Sequence, residues 1–277
     1  MPETPLEIAA GFIHSDQEEI YYESVGQGEA IVFCHGLGGS HASWFQQVPF
    51  FARFYRCVTW DQRGFGRSTI NGGQTNPALA AIDLKRLIDQ LELAPVHLVG
   101  QSMGGWATVG FALAYPHLVR SMALADTLGG IYTAQSRQGF DTFLKQAATL
   151  PPSRPLLGHH PAIGTTFSRQ SPVQAYLYQQ LGSFGNPPST LAMFQALRDT
   201  EYPVDALKSL TFPILCIVGS EDRLILPAWV RQVAAALPDA QVIEISGTGH
   251  SPYFEDAATW NQSVLTFLQQ HTPMTWT

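Results

Sequence analysis

Gly100-Gln101-Ser102-Met103-Gly104-Gly105 follows the apolar run Val96-His97-Leu98-Val99 and precedes a helix-compatible stretch from Trp106 to Tyr115. The Gly-x-Ser-x-Gly pattern within it matches a nucleophile elbow, a sharp strand-to-helix turn that holds a serine out at its tip. The backbone is so tight in such a turn that the serine needs small neighbours. The pattern alone is common, and the strand-like run before it and the helical stretch after it make it specific. We therefore predict that Ser102 is a nucleophile.

A histidine near the end of the chain is placed to serve as the base that a serine hydroxyl needs at neutral pH. His250 lies in Gly247-Thr248-Gly249-His250-Ser251-Pro252, directly after the strand-like run 241–245. A histidine in a loop between glycines and a proline is poorly suited to filling a core. We therefore predict that His250 accepts the proton of Ser102.

Two aspartates are candidates for the acid that orients the histidine. Asp222 follows the apolar run 213–218, and Asp126 follows a second run, 122–125. Both can lie at the carboxyl end of a parallel sheet, where such sites are built, and both preserve the chain order Ser, Asp, His. The sequence favours Asp222 and leaves a catalytic role of Asp126 open.

A glycine-rich loop upstream supplies hydrogen-bond donors for a developing oxyanion. The apolar run 31–34 leads into His35-Gly36-Leu37-Gly38-Gly39-Ser40, and glycines allow the backbone to aim N–H groups at a substrate oxygen. We predict an oxyanion hole formed by the backbone N–H groups of Leu37 and Met103. His35 is interpreted as a brace for this loop, because His250 is better placed as the base.

With these motifs the chain resembles the α/β-hydrolase family over essentially its whole length. The resemblance rests on five ordered motifs: His35-Gly36-Leu37-Gly38-Gly39, Asp61-Gln62-Arg63-Gly64-Phe65-Gly66-Arg67-Ser68, the elbow at 100–105, Asp222, and Gly249-His250. It implies an α/β-hydrolase fold, in which the turn at 61–68 has a structural role. The motifs are far less specific for the reaction than for the fold, because one fold hosts many chemistries.

The pattern of apolar runs supports a doubly wound, mostly parallel sheet with an inserted helical cap. Short, nearly continuous runs are typical of parallel strands covered on both faces, and they occur at 31–34, 56–60, 96–99, 121–125, 213–218 and 241–245. Residues 11–25 are expected to form an N-terminal hairpin with its turn at 15–18. Residues 127–204 depart from this pattern of short apolar runs and contain proline pairs at 151–152 and 187–188. We predict a core of residues 1–126 and 205–277 and a cap subdomain of residues 127–204.

Size and composition limit the class of protein. The 277 residues suffice for one large α/β domain, and the net charge of −7 disfavours nucleic acid as a partner. No apolar run is long enough for a membrane span, and the acidic N-terminus does not resemble a signal peptide. The three cysteines, Cys34, Cys57 and Cys216, lie in apolar runs. This is typical of buried thiols in a reducing cytoplasm. We expect a cytoplasmic protein.

Two tryptophans are predicted to line a substrate pocket because the chemistry fixes their surroundings. Trp106 follows the elbow, and Trp44 follows the donor loop. His159-His160 lacks partners at metal-ligand spacing, and the chain has no phosphate-binding glycine loop. We therefore predict neither a metal nor a cofactor.

These observations favour a cofactor-independent serine hydrolase that cleaves a small to medium carboxylic ester or lactone through an acyl-enzyme. Haloalkane dehalogenases and epoxide hydrolases of the same fold place aspartate at the nucleophile, so Ser102 argues against both. A carbon–carbon bond hydrolase or a lyase with the same triad stays open, although the loop at 36–39 departs from the Gly-Pro-Gly-like form of the former. A small-molecule receptor with this fold is the third alternative. We expect a small-molecule substrate, and the sequence leaves its identity and the oligomeric state open.

Overall fold

The computed structural model describes residues 5–71, 75–149, 156–183 and 190–271. The first four residues and the proline pairs at 151–152 and 187–188, on which the sequence predictions partly rest, lie outside these ranges.

The described chain is organised around an eight-stranded sheet in the order β1-β2-β4-β3-β5-β6-β7-β8. The strands are β1 Ile8–Ser15, β2 Glu18–Val25, β3 Ala30–Cys34, β4 Arg56–Trp60, β5 Val96–Gln101, β6 Val119–Ala125, β7 Ile214–Gly219 and β8 Gln241–Ile245. Strand β2 pairs antiparallel with both of its neighbours, and every other pairing is parallel. The strand order reverses between β3 and β5, so the loops after these two strands meet at the crevice where open α/β sheets build their sites.

Helices cover both faces of this sheet. They are α1 Val48–Phe51, α2 Pro77–Gln90, α3 Gly104–Ala114, α4 Ala134–Thr149, α5 Thr165–Gln170, α6 Pro172–Leu181, α7 Thr190–Asp199, α8 Val204–Leu207, α9 Pro227–Ala236, α10 Pro252–Glu255 and α11 Ala257–His271. Side chains alternate along a strand, so Val32 and Cys34 of β3 pack on one face of the sheet with α2, α3 and α9. Its Ile31 and Phe33 pack with α1 and α11 on the opposite face. No described helix is both long and apolar enough to cross a membrane.

The predicted strands and the N-terminal hairpin are confirmed, with one difference in burial. The hairpin pairs Ile8 with Val25 through Ser15 with Glu18, so its first strand begins three residues earlier than predicted. The run at 241–245 was expected to be covered on both faces. Strand β8 is instead the sheet edge, and only its last residue, Ile245, is fully buried. An edge strand has one neighbour, so its apolar residues are less enclosed than those of a central strand.

The segment between β6 and β7 carries the helices α4 to α8, in the part of the chain predicted to form a cap. Helix α8 crosses the predicted boundary at residue 204, and the division into core and cap stays a prediction. Helices α4 and α7 pack against each other through Phe140, Phe143 and Phe194. The contact between these two helices is therefore aromatic.

The turn at 61–68 is held by a buried ion pair to helix α2. Arg63 donates to both carboxylate oxygens of Asp83, at 2.8 and 2.6 Å, and the Asp83 side chain is fully buried. The Ser15 hydroxyl donates to the same carboxylate. This pair joins the turn, the hairpin and α2, in agreement with the structural role expected for the turn.

We expect Arg63→Ala to lower the free energy of unfolding by about 3–5 kcal/mol, because it leaves the Asp83 carboxylate buried without a counter-charge. Urea unfolding followed by circular dichroism measures the change. The double variant Arg63→Ala/Asp83→Ala should be less destabilised than the sum of the two single variants, because it removes the stranded charge. A loss below about 1 kcal/mol in Arg63→Ala would contradict a structural role for the pair.

Candidate active site

Ser102 stands at the turn from β5 to α3 in a strained backbone conformation. Its φ is 49°, in the left-handed region that residues other than glycine seldom adopt. The Ser102 N–H donates to the Ala125 carbonyl at 2.9 Å, and the Thr127 hydroxyl donates to the Ser102 carbonyl at 2.7 Å. These bonds to neighbouring β6 and its loop hold the strain in place. Strain maintained in this way is characteristic of functional turns.

The glycines beside Ser102 are required by close backbone approach. A Cβ on Gly104 would lie 2.1 Å from the Cys34 carbonyl oxygen, and a Cβ on Gly100 would lie 2.9 Å from the Gly104 carbonyl oxygen. Neither backbone oxygen can move without displacing β3 or α3. The elbow pattern in the sequence thus reflects a turn packed directly against the end of β3.

The structure brings Ser102, His250 and Asp222 into one hydrogen-bonded chain. His250 Nε2 lies 2.8 Å from Ser102 Oγ, and His250 Nδ1 lies 2.8 Å from Asp222 Oδ2. The other oxygen of Asp222 accepts the N–H groups of Leu224 and Ile225 at 2.8 and 3.0 Å. The Asp222 side chain is fully buried. A buried carboxylate at Nδ1 favours the tautomer whose Nε2 is free to accept a proton from the serine.

Two residues that the sequence analysis missed position the His250 loop. The Gln101 side-chain amide donates to the His250 carbonyl at 2.9 Å. The Glu255 carboxylate accepts the N–H groups of Gly249 and Ser251 in the same loop, and that of Gly164 between β6 and β7. Burial raises the pKa of Glu255, and these N–H groups oppose the shift. An acid in the first turn of the helix that begins at Pro252 was the available sequence signal, because acidic side chains are favoured at helix N-termini.

The two N–H groups predicted to form the oxyanion hole are those of Leu37 and Met103. Among the described residues, neither the Leu37 N–H nor the Met103 N–H has a hydrogen-bond acceptor. Met103 directly precedes α3, and the first N–H groups of a helix have no acceptor within it. A Cβ on Gly36 would lie 3.1 Å from the Ser102 Cβ, which shows how closely the loop approaches the serine.

Both ring nitrogens of His35 are hydrogen-bonded, one within its own loop and one to the turn at 61–68. Its Nδ1 donates to the Gly36 carbonyl at 2.8 Å, and its Nε2 accepts the Gln62 N–H at 3.0 Å. Burial lowers the pKa of His35, which agrees with this neutral, one-donor arrangement. The contacts support the interpretation of His35 as a brace.

Asp126 lies directly beside Asp222, the acid of this chain. One carboxylate oxygen accepts the Gly219 N–H at 2.9 Å, and the other has no hydrogen-bond partner among the described residues. One carboxylate oxygen of Asp126, one of Asp222 and a ring nitrogen of His250 lie within 4.8 Å of one another. Burial, followed by the charge of Asp222, raises the pKa of Asp126 well above its usual value. The Asp126 carboxyl therefore favours the protonated, uncharged form.

A largely apolar cavity of about 370 Å³, here called the serine chamber, opens over Ser102 and His250. Its walls include Trp106, whose indole N–H donates to the Leu197 and Thr200 carbonyls at 3.0 Å. They also include the aromatic residues Phe140, Phe143 and Phe194 from helices α4 and α7. Among its described lining residues, none is Asp, Glu, Lys or Arg.

The prediction that Trp44 lines the pocket is wrong. Trp44 is fully buried beneath the site, with its ring 5.0 Å from those of Phe33 and Tyr253 and 6.2 Å from that of Trp260. It ends a short 3-10 helix that turns this side chain into the sheet face covered by α11. Its position in the sequence, just beyond the donor loop, did not determine the direction of its side chain.

Comparisons with known proteins identify relatives of this chain. A family model described as alpha/beta hydrolase fold matches residues 29–257. BpoC of Mycobacterium tuberculosis, provisionally named a non-heme bromoperoxidase, is 29% identical over 265 residues, which span 89% of this chain and 96% of BpoC. RutD of Pantoea ananatis, provisionally named a carbamate hydrolase, is 26% identical over 91% of this chain and 94% of RutD.

Among solved structures, a thermophilic esterase from Thermogutta terrifontis superposes with a TM-score of 0.79. It covers 96% of this chain and 100% of its own, at 23% identity, and at that identity the likeness concerns the fold. The family match extends over most of the chain and includes the Ser102 elbow, Asp222 and His250. The chain belongs to the α/β-hydrolase fold family.

Proposed function

We propose that this protein is a cofactor-independent serine hydrolase that cleaves an uncharged carboxylic ester or lactone of small to medium size. The observation that carries the proposal is the hydrogen-bonded chain from Ser102 Oγ through His250 to Asp222, which opens onto the serine chamber. The hydrolase family to which the chain belongs supports this reaction class.

In the proposed reaction Ser102 Oγ attacks the substrate carbonyl carbon as His250 Nε2 takes the hydroxyl proton. Asp222 stabilises the imidazolium that forms, and the Leu37 and Met103 N–H groups stabilise the negative oxygen. The C–O bond to the alcohol breaks as His250 returns the proton to the leaving oxygen. His250 then takes a proton from water as the water oxygen attacks the acyl carbonyl carbon. The bond from that carbon to Ser102 Oγ breaks as His250 returns the proton to Oγ, which releases the carboxylic acid and regenerates free Ser102.

The chamber walls support an uncharged, largely apolar substrate. Burying a charged group without a counter-charge is costly, and the described walls offer no fixed opposite charge. Phe140, Phe143 and Phe194 supply apolar and aromatic surface for an acyl group. The volume of about 370 Å³ lies within the range of roughly 300–1,000 Å³ typical of small-molecule sites.

The test is multiple-turnover hydrolysis of p-nitrophenyl esters from acetate to dodecanoate. Each buried methylene contributes about 0.8 kcal/mol, so kcat/KM should rise by up to about fourfold per methylene until the chamber is filled. We expect a maximum at short to medium chain length and a decline towards dodecanoate. Release of p-nitrophenol is followed by absorbance. A flat profile at the rate of the enzyme-free reaction would contradict the ester specificity.

The alternatives give different results in the same experiment. A carbon–carbon bond hydrolase or lyase would leave all of these esters nearly intact while consuming a substrate with a cleavable carbon–carbon bond beside a carbonyl. A small-molecule receptor would release at most one p-nitrophenol per protein molecule. Repeated turnover of many equivalents, with a preferred acyl length, distinguishes the proposed enzyme from each of them.

A further inference from the structure

A second histidine, His160, lines the serine chamber without belonging to the Ser102 chain. Its Nδ1 accepts the Ala162 N–H at 3.1 Å, so in the neutral ring the proton is on Nε2. Within the described ranges, that Nε2 has no hydrogen-bond partner. Burial, followed by the nearby His250, lowers the pKa of His160 and favours the neutral ring. His160 therefore carries a single uncharged N–H donor at the wall of the chamber.

The loop that carries His160 is fixed to helix α6. The Gln179 side chain accepts the Gly158 N–H at 2.9 Å and donates to the Leu156 and His159 carbonyls at 2.7 and 2.5 Å. The Ile163 N–H donates to the His160 carbonyl at 3.0 Å. A donor held by its own loop loses little conformational entropy on binding, which favours recognition.

His160 lies on the His250 side of the serine. Its ring centroid is 5.1 Å from that of Tyr178, and the Tyr178 hydroxyl lies 2.7 Å from Ser251 Oγ, directly after His250. In the proposed reaction His250 protonates the leaving alcohol, so the alcohol oxygen must be next to His250 Nε2. The portion of the substrate nearest His160 is therefore the alcohol and not the acyl group.

A smaller cavity of about 170 Å³, here called the side cavity, adjoins the serine chamber at His160. The two cavities share six lining residues: Leu37, Gly38, Gln101, His160, Tyr178 and Gly182. The side cavity adds the polar side chains of Ser43, Gln179 and Ser183. Its described lining, like that of the chamber, includes no Asp, Glu, Lys or Arg. The site thus has an aromatic chamber and an uncharged polar extension, with His160 where they meet.

Resting on the hydrolase activity proposed above, we propose that His160 determines specificity for the alcohol portion of the substrate. Its Nε2–H donates a hydrogen bond to an uncharged oxygen of that alcohol, an ether, hydroxyl or carbonyl oxygen, and the alcohol extends into the side cavity. The substrate class is an ester or lactone with an apolar acyl group and an oxygen-bearing alcohol portion. A hydrogen-bonding site discriminates strongly against an analogue that lacks the partner atom, because its own donor is then left unpaired.

The test compares two esters of equal length, 2-methoxyethyl phenylacetate and n-butyl phenylacetate, which differ by one oxygen in place of a methylene. In His160→Phe, which keeps a ring and removes the donor, kcat/KM for the methoxyethyl ester should fall about tenfold. For the butyl ester it should change less than about threefold. The methoxyethyl-to-butyl ratio of kcat/KM in the variant is divided by the same ratio in the wild type. This comparison cancels the intrinsic reactivity of the esters. Phenylacetate release is followed by pH-stat titration.

Two further variants separate recognition from packing. His160→Gln places an amide N–H near the position of Nε2 and should restore part of the preference for the methoxyethyl ester. His159→Phe is the matched control, because His159 is the exposed neighbour in the same loop, and it should leave both esters unaffected. Equal losses on both esters in His160→Phe would overturn the proposal and leave His160 a packing role.

Binding to the Ser102→Ala protein separates this proposal from the proposed function, because that variant does not consume either ester. Titration calorimetry should show tighter binding of the methoxyethyl ester, and adding His160→Phe should remove the difference. A binding difference that depends on His160, without hydrolysis by the wild type, would contradict the hydrolase activity alone. Hydrolysis by the wild type with no effect of His160 on binding would contradict the role of His160 alone.

Discussion

Replacing Ser102 by alanine should lower kcat for ester hydrolysis by about 10⁵–10⁶-fold, because triad members act as a unit and loss of the nucleophile removes the covalent route. His250 Nε2 would face a methyl group in place of the hydroxyl now 2.8 Å away. The residual rate should come from the oxyanion donors and substrate binding alone. Burst-phase and steady-state assays with the preferred p-nitrophenyl ester measure the loss, and the burst should disappear with the turnover.

The fold should survive this substitution. Alanine is smaller than serine, and the backbone bonds that hold the φ of 49°, to Ala125 and from Thr127, do not involve the Ser102 side chain. Thermal unfolding should therefore give a Tm within a few degrees of the wild type, by the usual scale of about 4 °C or less per kcal/mol for a domain of this size. Near-wild-type turnover in a folded Ser102→Ala protein would exclude Ser102 as the nucleophile.

The sequence predicts well those parts of the site whose local backbone geometry requires a particular residue pattern. A turn that packs Gly104 against the Cys34 carbonyl requires the Gly-x-Ser-x-Gly pattern. Parallel strands covered on both faces require apolar runs. Because the carboxyl ends of parallel strands share one edge, residues after β3, β5, β7 and β8 were expected to meet. The structure places Leu37, Ser102, Asp222 and His250 together at that edge.

The parts that sequence predicts poorly depend on side-chain direction and on contacts between distant segments. Trp44 and Trp106 both follow site loops, yet only Trp106 faces the chamber, because the 3-10 helix at 41–44 turns Trp44 inward. Glu255 joins the His250 loop to Gly164, across 91 positions. His160 reaches the chamber from a loop with no regular pattern. No periodicity in the sequence encodes such contacts.

Asp222→Asn should lower kcat by about 10⁴-fold, because it removes the charge that orients His250. The amide can still accept the Leu224 and Ile225 N–H groups through one oxygen, so the local geometry should persist. It cannot accept from His250 Nδ1 if its NH₂ faces the ring, which favours the tautomer with the proton on Nε2. That proton blocks acceptance from the Ser102 hydroxyl.

Asp126→Asn is the matched control and should lower kcat by less than about tenfold. Asp126 also follows a sheet strand, lies within 4.8 Å of the same cluster and has a left-handed backbone, at φ 49°. Its carboxyl favours the uncharged form because burial and Asp222 raise its pKa, so an uncharged amide is a close replacement. The amide oxygen can still accept the Gly219 N–H.

The two aspartates should also differ in how stability depends on pH. A carboxyl whose folded-state pKa lies above its unfolded value stabilises the fold fully below the unfolded pKa, and this contribution is lost as pH rises through the folded pKa. Asp126 has a raised pKa, so the stability of Asp126→Asn relative to wild type should increase as pH rises from about 4. Urea unfolding at pH 4, 6 and 8 measures the trend. A larger kcat loss in Asp126→Asn than in Asp222→Asn, with no such trend, would mean that Asp126 is the charged acid that orients His250.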